Sequence, residues 1–297
     1  MSPVVVTGAG GFIGRAVALA LTEAGHSVRA ILRQGGSVPD LPESVAVHTL
    51  PPLEQAQTEL AQVSAGAGMI VHLADNPART LTDETGSAAL ARSVAGAATA
   101  AGVPRVVLAS SIYARMDEDG RVNTYGAGKR ASEQVFLQAK GFATVILRLP
   151  PVYGPGAKGG IAMLEALVRR RLPLPFGRAT ALRDYLAVGN LAALITALAQ
   201  AEAAAFAGLA GRAYEPSDGA PIATRELARE IGTAVGKPVV VLPVPPTMLT
   251  VPAMLVGRAA QVEAVFAPLR CRDDSDLRQA TGWQPEPRYA VNLTYLS

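Results

Sequence analysis

Residues 4–14 read Val-Val-Val-Thr-Gly-Ala-Gly-Gly-Phe-Ile-Gly, three valines run straight into a glycine cluster and then an apolar helical pattern. A buried strand ending in so tight a turn aims the free N–H groups of the following helix at an anion held in the turn. Gly8, Gly11 and Gly14 recur every third residue, and no register gives the commoner Gly-x-Gly-x-x-Gly spacing. Each glycine serves a separate purpose, Gly8 a sharp turn, Gly11 the approach of backbone to phosphate, and Gly14 close helix–strand packing. The loop predicts a nucleotide-binding chain. It names no reaction.

The rest of the first half alternates strand and helix patterns. Strands are expected at Val4–Thr7, Val28–Leu32, Met69–Ala74, Val106–Ser110 and Thr144–Leu149. Helices are expected at Phe12–Ala24, at 84–101 in an alanine-rich stretch, and at Tyr125–Lys140. Strands separated by helices predict an α/β chain with a doubly wound parallel sheet and ligands at the C-terminal strand edge. After Pro150-Pro151 the character changes to glycine, proline and arginine, with helices expected near 160–171 and 188–205. The expected division is therefore a nucleotide-binding domain over 1–150, with a segment at about 183–206 returning to it. Residues 151–297 would form mainly a smaller substrate-binding lobe.

Composition removes several function classes. Hydrophobic residues make up 49% and charged residues 17% of the 297, which is a globular balance. The net charge of +3 is carried by dispersed arginines, with Arg169-Arg170-Arg171 the one basic run, so no nucleic-acid partner is expected. Cys271 is the single cysteine, which excludes an intrachain disulfide and points to the cytoplasm. Met1-Ser2-Pro3 runs directly into the first strand, so no signal peptide is expected. His26, His48 and His72 lack metal-ligand spacing, so no metal site is expected, and His72 reads as a core residue. No charge occurs from Pro238 to Gly257, yet five prolines interrupt that run. They predict a strand near 238–242 and a short apolar helix rather than a membrane span. Met248, Leu249, Met254, Leu255 and Val256 beside Arg258 leave peripheral membrane contact as the alternative.

Ser110 and Ser111 end an apolar strand, which places them at the ligand edge of the sheet. Tyr125 and Lys129 lie four apart at the start of the next helix and so share a face. A tyrosine that moves a hydroxyl proton starts from a pKa near 10, and a neighbouring ammonium brings it toward neutrality. A serine hydroxyl can hold the reacting oxygen in line. This set suits hydride transfer at an alcohol carbon. At the end of the second strand, Ala30-Ile31-Leu32-Arg33 supplies an arginine and no acid, which favours a 2′-phosphate and hence NADP. Arginine can also stack on adenine.

Taken together these segments resemble the extended short-chain dehydrogenase/reductase superfamily, in its nucleotide-sugar epimerase/dehydratase branch. The likeness is carried by Thr7–Gly14, His72-Leu73-Ala74, Ser111 with Tyr125 and Lys129, Arg148–Pro155, and Arg183 through Asn190. It implies a Rossmann-type fold with Ser111, Tyr125 and Lys129 catalytic. Cofactor contacts would fall on Gly8, Gly11, Phe12, Ile13, Gly14, Arg33, Leu73, Ala74, Lys129 and Pro151, and substrate contacts on Ser111, Tyr125 and Arg183. It implies NAD as cofactor, against the NADP suggested by Arg33. It also implies a homodimer built on helices 84–101 and 125–140. Leu172–Gly177 and Leu242–Pro246 resemble bacterial epimerases acting on UDP-hexoses or polyprenyl-diphosphate sugars. Two departures stand out: Ile112-Tyr113-Ala114-Arg115 carries no carboxylate of the kind dehydratases use after the serine, and His48–Pro51 lacks an adenine-binding aspartate. The expected activity is 4-epimerisation of a nucleotide sugar through a 4-keto sugar. The alternatives are a net NADP-dependent reductase of a ketone or keto-sugar, and a non-catalytic NADP-binding sensor.

Overall fold

A computed structural model describes residues 2–36, 40–75, 86–118, 124–255 and 259–286. In chain order the first elements are β1 (Val4–Thr7), α1 (Phe12–Glu23), β2 (Val28–Arg33), β3 (Ala46–Leu50), α2 (Gln57–Val63), β4 (Met69–His72) and α3 (Ser87–Ala100). There follow β5 (Arg105–Ser111), α4 (Tyr113–Glu118), α5 (Thr124–Gln138), β6 (Ala143–Leu149), β7 (Val152–Tyr153), α6 (Gly160–Arg169), β8 (Leu182–Arg183) and β9 (Leu186–Ala187). The last are α7 (Val188–Gln200), α8 (Ala203–Leu209), β10 (Arg212–Tyr214), β11 (Ile222–Ala223), α9 (Thr224–Ala234), α10 (Pro246–Leu255), α11 (Ala259–Phe266) and α12 (Ser275–Thr281).

The chain divides into two units. The first comprises Met1–Leu149, Val188–Pro216 and Arg272–Gln284. Its seven strands form one sheet in the order β10-β6-β5-β4-β1-β2-β3, every neighbouring pair parallel. This is the Rossmann-type doubly wound sheet that the βαβ alternation predicts. Its inner strands bury both faces, as Val5, Val6, Ile70, Val71, Val106 and Val107 show, which is why they read as unbroken apolar runs. Apolar residues of the sheet, of α2 and α3, and Phe136 of α5 form one core. Ala91, Ala97 and Ala98 of α3 lie fully buried in it, so those small side chains serve close packing inside this unit. Strand β3 breaks the apolar pattern because it is the sheet's edge, with Ala46, Val47 and Thr49 exposed.

The second unit comprises Pro150–Ala187, Ser217–Cys271 and Pro285–Ser297. Helices α6 and α9 close on a core that includes Tyr153, Leu164, Leu174, Leu227 and Ile231. Two two-stranded sheets complete it, β8 with β11 antiparallel and β7 with β9 parallel.

Several expectations need correction. The helix expected over 188–205 is two, α7 and α8, separated at Ala201-Glu202. The strand expected at 238–242 reduces to a single bridge between Leu174 and Val241. Pro238 and Pro243 flank it and supply no N–H to extend a ladder. No helix among the described residues is long and apolar enough to cross a membrane. Helix α10 leaves Met248, Val251, Met254 and Leu255 exposed. Val256, Gly257 and Arg258 lie outside the described residues, as do the first two residues of the helix expected over 84–101.

Candidate active site

In the sheet order β1 stands between β4 and β2, and the chain winds away in opposite directions from the β4–β1 boundary. Loops diverge at such a boundary and leave a crevice at the strand C-termini. The turn after β1 lies against the loop after β4: a Cβ placed on Gly8 would fall 2.7 Å from the Ala74 nitrogen. Gly8 also has φ +74°, the left-handed region that glycine occupies without strain. At Gly14 a Cβ would sit 2.2 Å from the Gly8 carbonyl oxygen, so only glycine lets α1 start this close to the turn. Helix α1 opens at Phe12 with no capping side chain and no acidic residue in its first turn. Its leading N–H groups, those of Phe12 and Ile13 among them, are therefore suited to an anion. The residues of this turn fit a dinucleotide pyrophosphate.

The loop after β4 is fixed by Thr7. Its Oγ1 accepts the Ala74 N–H at 3.4 Å and lies 2.8 Å from Nδ1 of His72, while the Leu73 N–H donates to the Thr7 carbonyl at 3.3 Å. One proton lies between the Thr7 hydroxyl and His72 Nδ1, on the side that the imidazole tautomer sets. His72 packs its ring beside Phe136, centroids 5.7 Å apart, and burial lowers its pKa to about 3, with the Lys129 charge adding to the effect. It is a neutral core residue that anchors the site.

The structure brings Ser111, Tyr125 and Lys129 together. Ser111 is the last residue of β5, and its Oγ accepts the Tyr113 N–H at 3.3 Å and hydrogen-bonds the Tyr125 phenol. Helices α4 and α5 meet closely because residue 126 is glycine: a Cβ there would fall 2.2 Å from the Tyr113 carbonyl oxygen. Tyr113 and Tyr125 meet edge to face, centroids 6.3 Å apart. Lys129 Nζ lies 5.9 Å from the Tyr125 ring centroid.

The electrostatics differ from the simple expectation. Tyr125 is 41% exposed as a residue, yet the protein packed around its phenol desolvates that group and pushes it above its ordinary range, and Lys129 opposes this without overcoming it. Part of the reason is an acid that residue spacing does not reveal. Asp75, beyond β4, holds Lys129 Nζ at 3.0 Å and raises the phenol in its own right. Lys129 also donates to the Ala109 carbonyl at 3.2 Å.

A second group that the sequence motifs do not include adjoins Ser111 and Lys129 in the chain. Glu133 is buried, accepts the Ser110 hydroxyl, and forms a two-point pair with Arg148 of β6. The signal was present: Tyr125, Lys129 and Glu133 are spaced by four along one face of α5.

The remaining expected residues fall as follows. Arg33 ends β2, exposed, at the same sheet edge as the glycine turn. In the second unit, the Pro151 carbonyl accepts the Leu186 N–H at 3.2 Å. Arg183 is buried, and its Nη1 donates to the carbonyls of Ala264 and Ala267. Among the described residues no group of histidine, cysteine and carboxylate side chains could hold a metal.

The sheet is of the Rossmann type, with the glycine turn after β1 and Ser111, Tyr125 and Lys129 gathered at the end of β5 and the start of α5. The sequence pattern of the NAD-dependent epimerase/dehydratase family matches residues 4–210, and the chain belongs to that family. It is similar to UDP-glucose 4-epimerase of Vibrio cholerae, 32% identical over 200 residues, which cover 62% of this chain and 59% of that protein. It is also similar to 2-alkyl-3-oxoalkanoate reductase of Stenotrophomonas maltophilia, 31% identical over 256 residues, 79% of this chain and 76% of that one. The solved UDP-glucose 4-epimerase of Thermotoga maritima, 18% identical, has the same fold at a TM-score of 0.75, covering 98% of this chain and 96% of the other.

Proposed function

We propose that the chain is a nucleotide-sugar epimerase acting at the 4-position of a UDP-hexose or a polyprenyl-diphosphate-linked sugar. The observation that carries this reading is the gathering of Ser111, Tyr125 and Lys129 at the C-terminal end of β5 and the start of α5. The β1–α1 turn, with Leu73, Ala74 and Lys129, would hold the nicotinamide cofactor, which supplies a reversible hydride acceptor. Tyr125 takes the proton of the sugar hydroxyl when the carbon is oxidised and returns it when the ketone is reduced. Ser111 hydrogen-bonds the same oxygen and keeps it in line. Lys129 favours the phenolate. One acid–base residue thus serves both directions, and the epimer results when the sugar presents its other face between them. Arg183 would reach a diphosphate only through nitrogens other than the one committed to Ala264 and Ala267.

The test is net cofactor turnover. Purified enzyme given a UDP-hexose should yield the 4-epimer with no net change in nicotinamide absorbance. Stoichiometric oxidation of a reduced cofactor with a keto substrate supports the second reading, a net reductase. Arg33 and the absence of an acid at the end of β2 favour that reading, as does the reductase relative covering 79% of the chain. A homodimer in the cytoplasm accompanies either reading, and light scattering at micromolar concentration tests the assembly.

A further inference from the structure

Asp75 stands in the site without a role in the proton-transfer scheme. Its loop is pinned to β1 through Thr7, so its position is set by the sheet and not by its own flexibility. One carboxylate oxygen lies 3.0 Å from Lys129 Nζ, and the other accepts the hydroxyl of Ser87, the first residue of α3, at 2.8 Å. The side chains of Lys129 and Asp75 are only 10% and 18% exposed. Of the three N–H donors of the ammonium, one is thus directed to Asp75 and another to the Ala109 carbonyl.

We propose that Asp75 is a positioning residue that anchors the Lys129 ammonium and offsets its charge at Tyr125, so that the phenol gives up its proton less readily than Lys129 alone would make it. The proposal rests on the reading of Tyr125 as the proton-transfer group. Among the described residues the groups facing the phenol come from four elements. Lys129 on α5 and the Ser111 hydroxyl at the end of β5 favour the phenolate, whereas Asp75 beyond β4 and Tyr113 of α4 oppose it. His72, also within the field of Lys129 and Asp75, is kept neutral by burial and contributes no charge at neutral pH. Among the described residues Asp75 is therefore the one carboxylate that works against Lys129 at Tyr125. Its removal leaves the ammonium uncompensated beside the phenol. An unopposed cation at this range moves a titration toward acid by about one unit or more.

The experiment titrates Tyr125 directly, without cofactor or substrate. Ultraviolet tyrosinate titrations are compared for the chain and for the same chain carrying Tyr125→Phe, the difference being the Tyr125 titration. In an Asp75→Asn background that difference should move toward lower pH by about one unit or more. Asp75→Glu, which keeps the charge, should titrate near wild type. Should the amide variant not fold, Asp75→Ser removes the charge with less bulk and carries the same expectation. A Tyr125 titration unmoved by loss of the carboxylate, or moved as far by Asp75→Glu as by Asp75→Asn, overturns the role of Asp75. Full turnover in Tyr125→Phe instead overturns the proton-transfer reading and leaves the electrostatic result standing, so the two failures are distinguishable.

Discussion

Arg148 and Glu133 meet as a two-point ion pair, Nε to Oε1 at 2.9 Å and Nη2 to Oε2 at 2.7 Å, with side chains only 8% and 4% exposed. Glu133 also accepts the hydroxyl of Ser110, the neighbour of Ser111. Two opposite charges withdrawn from water tolerate each other only while paired, and removing one strands the other. Glu133→Ala should therefore destabilise the fold by about 3–5 kcal/mol, read from denaturant unfolding. Replacing both members by apolar residues of similar volume should cost far less than the single change. Equal losses for the single and double variants would show that packing, not charge, holds this corner.

Tyr125→Phe removes one oxygen that hydrogen-bonds Ser111 and leaves the ring contact with Tyr113 in place. The fold and cofactor affinity should persist, while turnover falls by about 10²–10⁴, the range for lost acid–base catalysis. Steady-state kinetics beside a cofactor-binding titration separate the two effects. Turnover near wild type removes Tyr125 from the mechanism.

Arg33 ends β2 exposed, at the strand end where a 2′-phosphate would lie. If it grips that phosphate, Arg33→Ala should weaken NADP binding by about 1.5–3 kcal/mol and leave NAD nearly unchanged. Isothermal titration with both cofactors measures this. Equal losses for the two would assign the guanidinium to adenine stacking.

What was legible in the sequence was local. Val4–Thr7 and its glycines sit within one short stretch of chain, and Tyr125 and Lys129 within about one turn of helix, so spacing alone could place them on elements. Asp75 pairs with a lysine on a helix far along the chain, and Glu133 with an arginine on the next strand. No periodicity reports such pairs, because they form only when β4, β5 and β6 lie side by side. The tyrosine's electrostatics were hidden for the same reason. A cation four residues away was visible, and the anion that partly cancels it was not. The short strand expected at 238–242 makes a single bridge, because Pro238 and Pro243 bound the run and cannot extend the ladder.

His72 offers a stability test with a defined sign. Burial holds its folded pKa near about 3, below its ordinary 6.5, so between those values the unfolded chain binds a proton that the folded chain refuses. Stability from this group is full above pH 6.5 and is lost as pH falls toward about 3. Each unit in that window costs up to about 1.4 kcal/mol. His72→Asn, whose amide can still hydrogen-bond Thr7 as donor or acceptor, should flatten the decline in unfolding free energy between pH 7 and 5 by about 2 kcal/mol. Parallel curves for the two proteins would mean that His72 is protonated within the fold.

The glycine turn can be tested by adding one carbon. At Gly14 a Cβ would overlap the Gly8 carbonyl oxygen at 2.2 Å and the Ala9 Cα at 2.7 Å, both main chain, so neither can swing aside as a side chain would. Gly14→Ala must push the start of α1 away from the turn, at a cost of about 1–3 kcal/mol in stability. The same displacement moves the N–H groups expected to meet pyrophosphate, so cofactor affinity should fall together with stability. Gly208→Ala is the matched control: it lies in α8, with nothing within 4 Å of the added carbon. There the substitution should stabilise by up to about 1 kcal/mol through helix propensity and leave cofactor binding untouched. Denaturant unfolding with a parallel cofactor titration on both variants gives the answer. Undiminished affinity in a folded Gly14→Ala chain would take the helix start out of the cofactor site.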